Sequence, residues 1–253
     1  MDECLLEKNY LSSRQHGFMK DRSCQTNLIS FYEEVSKTLD RGVAVDVIYL
    51  DFAKAFDTVP HTQLMCKVRS TGLNISVCKW IENWLKDRIQ RVVVNDSYSE
   101  WSKVISGVPQ GSVLGPLLFN IFINDIGSEI KSNISVFADD TKLCSGITSL
   151  QDVSNLQADL NALSNWATEW QMRFNVDKCK VMHLGAKNMH ASYILGGVQL
   201  GGSVVEKDLG VLVDHKLNNG MQCQAVVSKA SKVLSCIKRG MEREISFCLC
   251  TNH

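Results

Sequence analysis

The sequence predicts an α+β fold, an antiparallel sheet backed by helices, and three observations support this prediction. The acidic pair Asp139-Asp140 lies between two short apolar runs, as the turn of a β-hairpin would. The apolar, β-branched run 43–50 has the length and composition of a strand. Apolar residues recur at helical spacing over 153–170, so a long amphipathic helix should pack on the sheet that carries these strands.

Composition is that of a globular protein. A chain of 253 residues with 45% hydrophobic content forms one ordinary enzyme domain or two small ones. No apolar run approaches the ~18 residues of a membrane span, and the N-terminus lacks a secretory signal, so we expect a soluble protein of the cytoplasm or nucleus. The ten cysteines are scattered without Cys-x-x-Cys pairs, which favours reduced thiols.

Charge distribution says more than net charge. A formal charge of zero argues mildly against nucleic-acid binding, because contacts to phosphates supply most non-specific affinity. Basic residues nevertheless cluster in two segments, and each cluster could be a solvated helix face or a nucleic-acid contact. These residues are Lys79, Lys86, Arg88 and Arg91 in the first segment, and Lys229, Lys232, Lys238 and Arg239 in the second.

The N-terminal half should alternate helices with loops. A polar, positively charged loop over 14–24 leads into a helix over 25–40. Pro60 should begin a second helix that Gly72 ends, and Asn74 should cap a third helix that runs from 75 to about 88. This third helix carries an apolar stripe, for which core packing is favoured over a base-stacking surface: Trp80, Ile81, Trp84 and Leu85.

A hairpin and a glycine-rich loop should follow. Runs 91–95 and 101–105, joined by the polar segment 96–100, predict a hairpin that leads to the loop 106–116. The glycines of this loop let the backbone approach a ligand closely, while the Gly-Lys-Ser/Thr ending of a phosphate-binding loop is absent. Pro116 should lie in the first turn of an apolar helix.

The C-terminal half should contain a capped helix, further strands and a last helix. Ser149 and Asp152 indicate a capping box before the long amphipathic helix. A turn and a strand should follow over 172–184. The runs 193–200 and 207–214 suggest two more strands with a glycine turn, and 221–239 predicts a helix with an apolar face opposite lysines.

The paired acids carry the chemistry. Two ionised carboxylates ~4 Å apart repel by roughly 4 kcal/mol at an effective dielectric near 20, which a divalent cation would remove. Magnesium suits such hard oxygen ligands and takes one or two carboxylates beside water and phosphate oxygens. Asp51, at the end of the strand 43–50, can complete a metal site with Asp139 and Asp140. The alternative is an ordinary turn with both carboxylates solvated.

Four ordered motifs carry a family resemblance. The segments LDFAKAFDTV, GVPQGSVLGPLLFNIFIND, FADD and FNVDKCKVMHLG resemble the polymerase domain of non-LTR (LINE-type) retrotransposons, closest to the jockey and chicken-repeat branch. The resemblance runs from about Arg14 to about Arg239. It implies a right-hand polymerase: partial fingers in 1–45, a palm in 46–215 with an insertion at about 60–106, and a truncated thumb in 216–253. Family segments upstream, including an endonuclease domain, are missing, so we expect a copy truncated at both ends.

The implied activity is RNA-directed DNA polymerisation, the template-directed transfer of deoxynucleotides by a two-metal mechanism. Asp51, Asp139 and Asp140 would be the catalytic metal ligands for two Mg²⁺ ions, with Mn²⁺ as a possible substitute. The implied partners are an RNA template, a DNA primer and deoxynucleoside triphosphates, with no membrane or protein partner. Two alternatives remain: a non-enzymatic retroelement remnant with at most weak RNA binding, and an RNA-copying RNA polymerase, against which Phe56 argues.

The resemblance also implies two sets of substrate contacts. Phe56 occupies the position of a steric gate that excludes a ribose 2′-hydroxyl, whereas Asp57 is expected to be structural. The predicted nucleotide-binding residues are Phe52, Phe56, Gln110, Gly111 and Lys178, although Lys178 could also be an ordinary turn lysine. The predicted template and primer contacts are Lys20, Arg22, Pro109, Gly196 and Gly197.

Overall fold

The computed structural model describes residues 10–250, with side chains described as far as residue 240. Contacts divide the chain into two compact units, Met1–Ser203 and Val204–His253. The expected fingers residues 1–9 and the last expected thumb residues, 251–253, lie outside the described part.

The first unit contains six helices and eleven strands among its described residues. The helices are α1 (Cys24–Asp40), α2 (Ala55–Thr58), α3 (His61–Ser70), α4 (Ile75–Leu85), α5 (Leu114–Ile123) and α6 (Leu150–Glu169). The strands are β1 (Ala44–Leu50), β2 (Ile89–Gln90), β3 (Val93–Val94), β4 (Ser97–Tyr98), β5 (Ser102–Lys103), β6 (Asn133–Phe137), β7 (Asp140–Ile147), β8 (Lys180–Leu184), β9 (Ile194–Leu195), β10 (Val198–Gln199) and β11 (Gly201–Gly202).

A five-stranded sheet with the order β11-β8-β1-β7-β6 organises this unit. All neighbours are antiparallel except β11 and β8, which confirms the predicted antiparallel sheet. The central strand β1 is almost wholly buried, as its β-branched, apolar sequence predicts. One hydrophobic core joins the sheet to helices α3–α6, and every residue from 117 to 123 in α5 is buried.

Local signals placed several element ends correctly. The Ser149 side chain accepts from the Asp152 backbone amide, and the Asp152 carboxylate accepts from the Ser149 amide, which confirms the capping box of α6. Asn74 caps α4 through a 2.8 Å hydrogen bond from the Ser76 amide. Helix α4 nevertheless ends at Leu85, three residues before the predicted end.

Two predictions in this region were wrong. The segment 89–103 forms two nested ladders, β2 with β5 and β3 with β4, in place of one hairpin with a five-residue connection. Asn95 and Asp96 both have positive φ (46° and 60°), which makes the tight turn that the strand twist favours. Within the predicted stripe of α4, Ile81 and Leu85 are buried as expected, and the prediction fails at Trp80, which is 54% exposed and stacks on Trp84 at 6.0 Å between ring centroids.

The second unit contains a hairpin and a helix among its described residues. Strands β12 (Val205–Asp208) and β13 (Val211–Asp214) pair around Leu209-Gly210, and α7 (Gly220–Cys250) follows. Both turn residues have positive φ, which explains the glycine. The predicted helix is confirmed over 221–239 and its apolar residues Val226, Val233 and Leu234 are exposed.

Two further predictions concern membrane-spanning helices and the state of the cysteines. None of the helices among the described residues combines the length and apolar character needed to cross a membrane. Each of the seven cysteines within the described side chains is a free thiol: Cys24, Cys66, Cys78, Cys144, Cys179, Cys223 and Cys236.

Candidate active site

The acidic pair lies at a two-residue turn, as predicted. Phe137 and Asp140 face each other at the ends of β6 and β7, so Ala138 and Asp139 form the turn. Ala138 has a left-handed backbone (φ 55°), a conformation that costs a non-glycine residue ~1 kcal/mol or more and persists only where surrounding contacts hold it.

Gln15 and Gly17 supply those contacts. The Gln15 side chain is buried, and its Oε1 accepts from the Ala138 amide at 2.9 Å and from the Gly17 amide at 2.7 Å. A Cβ on Gly17 would lie 2.4 Å from the Ala138 nitrogen, so only glycine allows this approach. The loop therefore clamps the turn from outside the sheet. The role of Gln15 could not be predicted, because no local sequence pattern indicates which distant amide a loop glutamine binds.

Asp51 lies beside this turn because of strand register. Leu50, the last residue of β1, pairs with Thr141 of β7, so the chain continues into Asp51 next to Asp139-Asp140. The Asp51 backbone is held on its other side, where its carbonyl accepts from the Asn175 amide at 2.8 Å and its amide donates to Cys179 Sγ at 3.5 Å. Burial raises the pKa of the Cys179 thiol, which remains a neutral contact here.

The electrostatics of the acids reflect their proximity. Burial raises the pKa of Asp139, and the negative charge of Asp51 adds to the rise, while a backbone hydrogen bond and Lys178 oppose it. The Lys178 ammonium lies 3.2 Å from Asp51 Oδ2. That oxygen is buried and accepts no hydrogen bond of normal geometry, so this contact is an ion pair without a directed bond.

The residues present fit a hard divalent cation. Asp51 and Asp139 supply carboxylate oxygens, one of them buried without a hydrogen bond, and their mutual repulsion is the cost that a cation removes. Across the described side chains, no three His, Cys, Asp or Glu residues form a ready metal-binding group. The structure thus brings Asp51 and Asp139 together, and Asp140, the first residue of β7, has an exposed side chain.

Backbone hydrogen bonds join the segment of the predicted gate, Phe56, to the glycine-rich loop. Phe56 is half-buried and stacks on Phe119 at 4.3 Å between ring centroids. The Val108 amide donates to the Phe56 carbonyl at 2.8 Å, and the Gly107 amide donates to the Val59 carbonyl at 2.8 Å. A Cβ on Gly107 would lie 2.7 Å from the backbone oxygen of Asp57, which explains the glycine.

Asp57, which was expected to be structural, contacts another of the predicted site residues. Its carboxylate oxygen Oδ1 accepts from Gln110 Nε2 at 2.7 Å. This bond fixes the amide of the residue predicted to line the nucleotide pocket. Gly111, next in the chain, has φ 80° and open space around it, whereas Pro109 is buried.

Two other predicted contacts, Phe52 and Arg22, make internal contacts within the protein. Phe52 is only 3% exposed and stacks on Phe174 at 4.3 Å, so its side chain belongs to the core and is not available to a nucleotide. Arg22 donates to the backbone carbonyls of Ser13 and Gln15, which ties the loop that clamps the acidic turn.

Three predicted contacts lie at the surface. Lys20 is exposed, and Gly196 and Gly197 form the exposed turn between β9 and β10 with φ of 57° and 84°.

Two RNA-directed DNA polymerases of mobile elements are similar to this chain in sequence. The chain is 26% identical over 243 residues to a probable RNA-directed DNA polymerase from transposon BS of Drosophila melanogaster, covering 90% of this chain and 26% of that protein. It is 31% identical over 183 residues to the RNA-directed DNA polymerase from mobile element jockey of the same species, covering 67% of this chain and 19% of that protein. The chain therefore spans about a quarter or less of the length of these relatives.

Solved structures support the fold. Apo telomerase from Candida tropicalis matches with a TM-score of 0.58 at 13% identity, covering 85% of this chain and 43% of that one. Telomerase from the same species in complex with a TWJ fragment of telomeric RNA matches with a TM-score of 0.59 at 12% identity, covering 87% and 36%. These likenesses, with the central antiparallel sheet, confirm the predicted polymerase palm.

A family model described as reverse transcriptase (RNA-dependent DNA polymerase) matches residues 2–231. The predicted resemblance to jockey-like retrotransposon polymerases is confirmed, and the chain belongs to the reverse transcriptase family.

Proposed function

We propose that this domain transfers deoxynucleotides to a primer end under the direction of an RNA template. The observation that carries the proposal is the approach of Asp51, at the end of β1, to the acidic turn before β7, close enough for its charge to raise the pKa of Asp139, within a reverse transcriptase domain. Phosphoryl transfer needs little covalent help from a protein, since alignment and charge neutralisation supply most of the catalysis.

Asp51 and Asp139 would hold magnesium, with Asp140 as a further carboxylate. Bound magnesium supplies charge neutralisation at the attacking and leaving oxygens of such a transfer. The chain's own contribution is a pair of carboxylates on a backbone held by hydrogen bonds, next to Asp139 by the Gln15 bond to Ala138 and at Asp51 by the contacts with Asn175 and Cys179. The exposed ammonium of Lys178 lies beside Asp51, within reach of a triphosphate bound there.

The partners follow from the family and the site. The named relatives are RNA-directed DNA polymerases, and one telomerase neighbour is in complex with an RNA fragment, which supports RNA as the template. Phe56, packed rigidly on Phe119, would select deoxynucleotides by excluding a 2′-hydroxyl. Gln110 would contact the nascent base pair, and the Gly196-Gly197 turn would contact the primer.

A primer-extension assay tests the proposal. The wild-type chain should extend a DNA primer on an RNA template when Mg²⁺ and deoxynucleotides are present. Asp139→Asn, which keeps the side-chain shape and removes the charge, should reduce extension at least ~100-fold, about 2.7 kcal/mol in the barrier. Exposed Asp177→Asn is a matched control and should retain activity.

Two outcomes count against the proposal. Extension that survives Asp139→Asn would refute the assignment of the site. A wild-type chain that folds, binds RNA and extends no primer would favour the non-enzymatic remnant instead.

A further inference from the structure

A cleft of about 520 Å³ opens beside the Gln110 loop. Its lining includes loop residues 107–110 and residues at or next to the β2–β5 ladder. Three cationic side chains line it: Lys54, Arg88 and Lys103. None of these residues has a role in the site described above.

The positive charge of the cleft is not compensated within the described side chains of the chain. Lys54 and Lys103 are exposed and Arg88 is half-buried, and among residues 10–240 the structure pairs none of the three side chains with a carboxylate or a hydrogen-bond acceptor. Asp57 is the acid that lines the cleft, and the Gln110 amide already occupies one of its oxygens. Unpaired cations around a groove attract phosphate oxygens.

The placement of the cations favours a strand over a single nucleotide. Arg88 precedes Ile89, which pairs with Lys103, so these two cations lie on adjacent strands of one ladder. Lys54 stands apart from them, at the start of α2. Charges supplied by separate elements along a groove suit successive phosphates of a backbone.

The same hairpin carries exposed rings. The Arg91 guanidinium lies 4.2 Å from the ring centroid of Tyr98 and 4.6 Å from that of Trp101, and both rings are exposed. Proteins that bind single strands combine such rings, on which bases stack, with a positively charged groove.

We propose that this cleft binds the sugar–phosphate backbone of the single-stranded RNA template next to the Gln110 loop, with Arg88, Lys103 and Lys54 contacting phosphates. The inference rests on the proposed function, since it takes the template to be the strand bound near Gln110. A deoxynucleoside triphosphate offers the same phosphate chemistry, so the test includes it as a separate arm.

The test measures RNA binding without catalysis. Fluorescence anisotropy of a labelled single-stranded RNA oligonucleotide, without deoxynucleotides or divalent cations, gives Kd over a salt series. For Arg88→Ala/Lys103→Ala, the slope of log Kd against log salt should fall by about 1.4, or about 0.7 for each lost phosphate contact. The control Lys79→Ala/Lys86→Ala removes two exposed cations of the same segment that do not line the cleft, and it should leave the slope near the wild-type value.

Folding is checked by the thermal unfolding midpoint of each variant. Should Arg88→Ala/Lys103→Ala fail to fold, Lys54→Ala/Lys103→Ala changes two exposed residues and carries the same expectation. An unchanged slope in a folded cleft variant, or an equal loss in the control, overturns the inference. So does a variant with normal RNA binding and a raised KM for deoxynucleotides, because the cleft would then hold the triphosphate. A chain that loses RNA binding in the cleft variant but never extends a primer supports the inference while the proposed function fails.

Discussion

Phe56 can act as a gate only if its ring cannot move aside. The stack on Phe119 and the edge contact with Phe18, at 6.3 Å between centroids, hold the ring on two sides. Phe56→Val should therefore open space and raise ribonucleotide use about tenfold relative to deoxynucleotide use, equivalent to about 1.4 kcal/mol. The ratio of kcat/KM values for the two substrates measures this effect. An unchanged ratio removes the gate role from Phe56.

Asp57 offers a second prediction for a single residue. Asp57→Ala should raise KM for deoxynucleotides about fivefold with little change in kcat, since a net hydrogen bond is worth ~1 kcal/mol and Gln110 would lose its orientation. Asp57→Asn keeps an oxygen acceptor and should restore most of the loss. If the asparagine variant is as impaired as alanine, the charge of Asp57 matters and the hydrogen bond does not.

The elements at the site are held together by contacts between residues that are distant in sequence. The hydrogen bonds of Gln15 to the acidic turn are the clearest example. Gln15→Ala removes the acceptor for two buried amides and should destabilise the fold by about 2 kcal/mol, measured by urea unfolding. Gln151→Ala, at an exposed helix position, should cost less than ~0.5 kcal/mol. An equal loss of unfolding free energy in the two variants would show that the Gln15 hydrogen bonds do not stabilise the fold.

The β1–β8 contact contains a buried carboxylate that gives the fold a pH dependence. Asp46 is fully buried and accepts hydrogen bonds of 2.7 Å from His183, Asn188 and Tyr193. Burial opposes its ionisation, but these hydrogen bonds outweigh burial and lower the pKa of Asp46. A lowered pKa means that the ionised form stabilises the fold above the usual value of about 4, and that this contribution is lost as the pH falls through the folded-state pKa.

Asp46→Asn should accordingly cost about 3 kcal/mol at pH 7 and progressively less below about pH 4. Free energies of unfolding between pH 3 and 7 measure the difference from wild type. A difference that stays constant over this range would mean that the charge of Asp46 contributes nothing.

Elements with local signals were predictable, and those that depend on tertiary contacts were not. The capping box of α6, the Asn74 cap and the acidic turn follow from short patterns that act within a few residues. The exposure of Trp80 depends on which face of α4 meets the core, which an apolar stripe alone does not determine. The bond between Asp57 and Gln110 joins two loops, and no spacing indicates it.

At the scale of the whole molecule, the family could be predicted from the sequence, whereas the local distribution of charge could not. The family could be predicted over most of the chain, because four motifs in order are specific together, and the family model matches residues 2–231. The zero net charge gave no indication of a local cluster of unpaired cations, since folding brings Lys54, Arg88 and Lys103 to one cleft with Asp57 as the acid that lines it. The sequence predicted a strand ending at Asp51 and a turn at Asp139. That the two acids lie close together depends on the pairing of β1 with β7, which the structure supplies.

The position of β1 between two hydrogen-bonded neighbours has a kinetic consequence. Its amide protons can exchange with solvent deuterium only when the sheet itself opens, so among the described residues they should exchange far more slowly than those of the exposed 89–103 hairpin. Asp51 follows directly on this strand. Slow exchange in β1 beside fast exchange in the hairpin would show that the backbone next to this acid keeps its place while the hairpin opens.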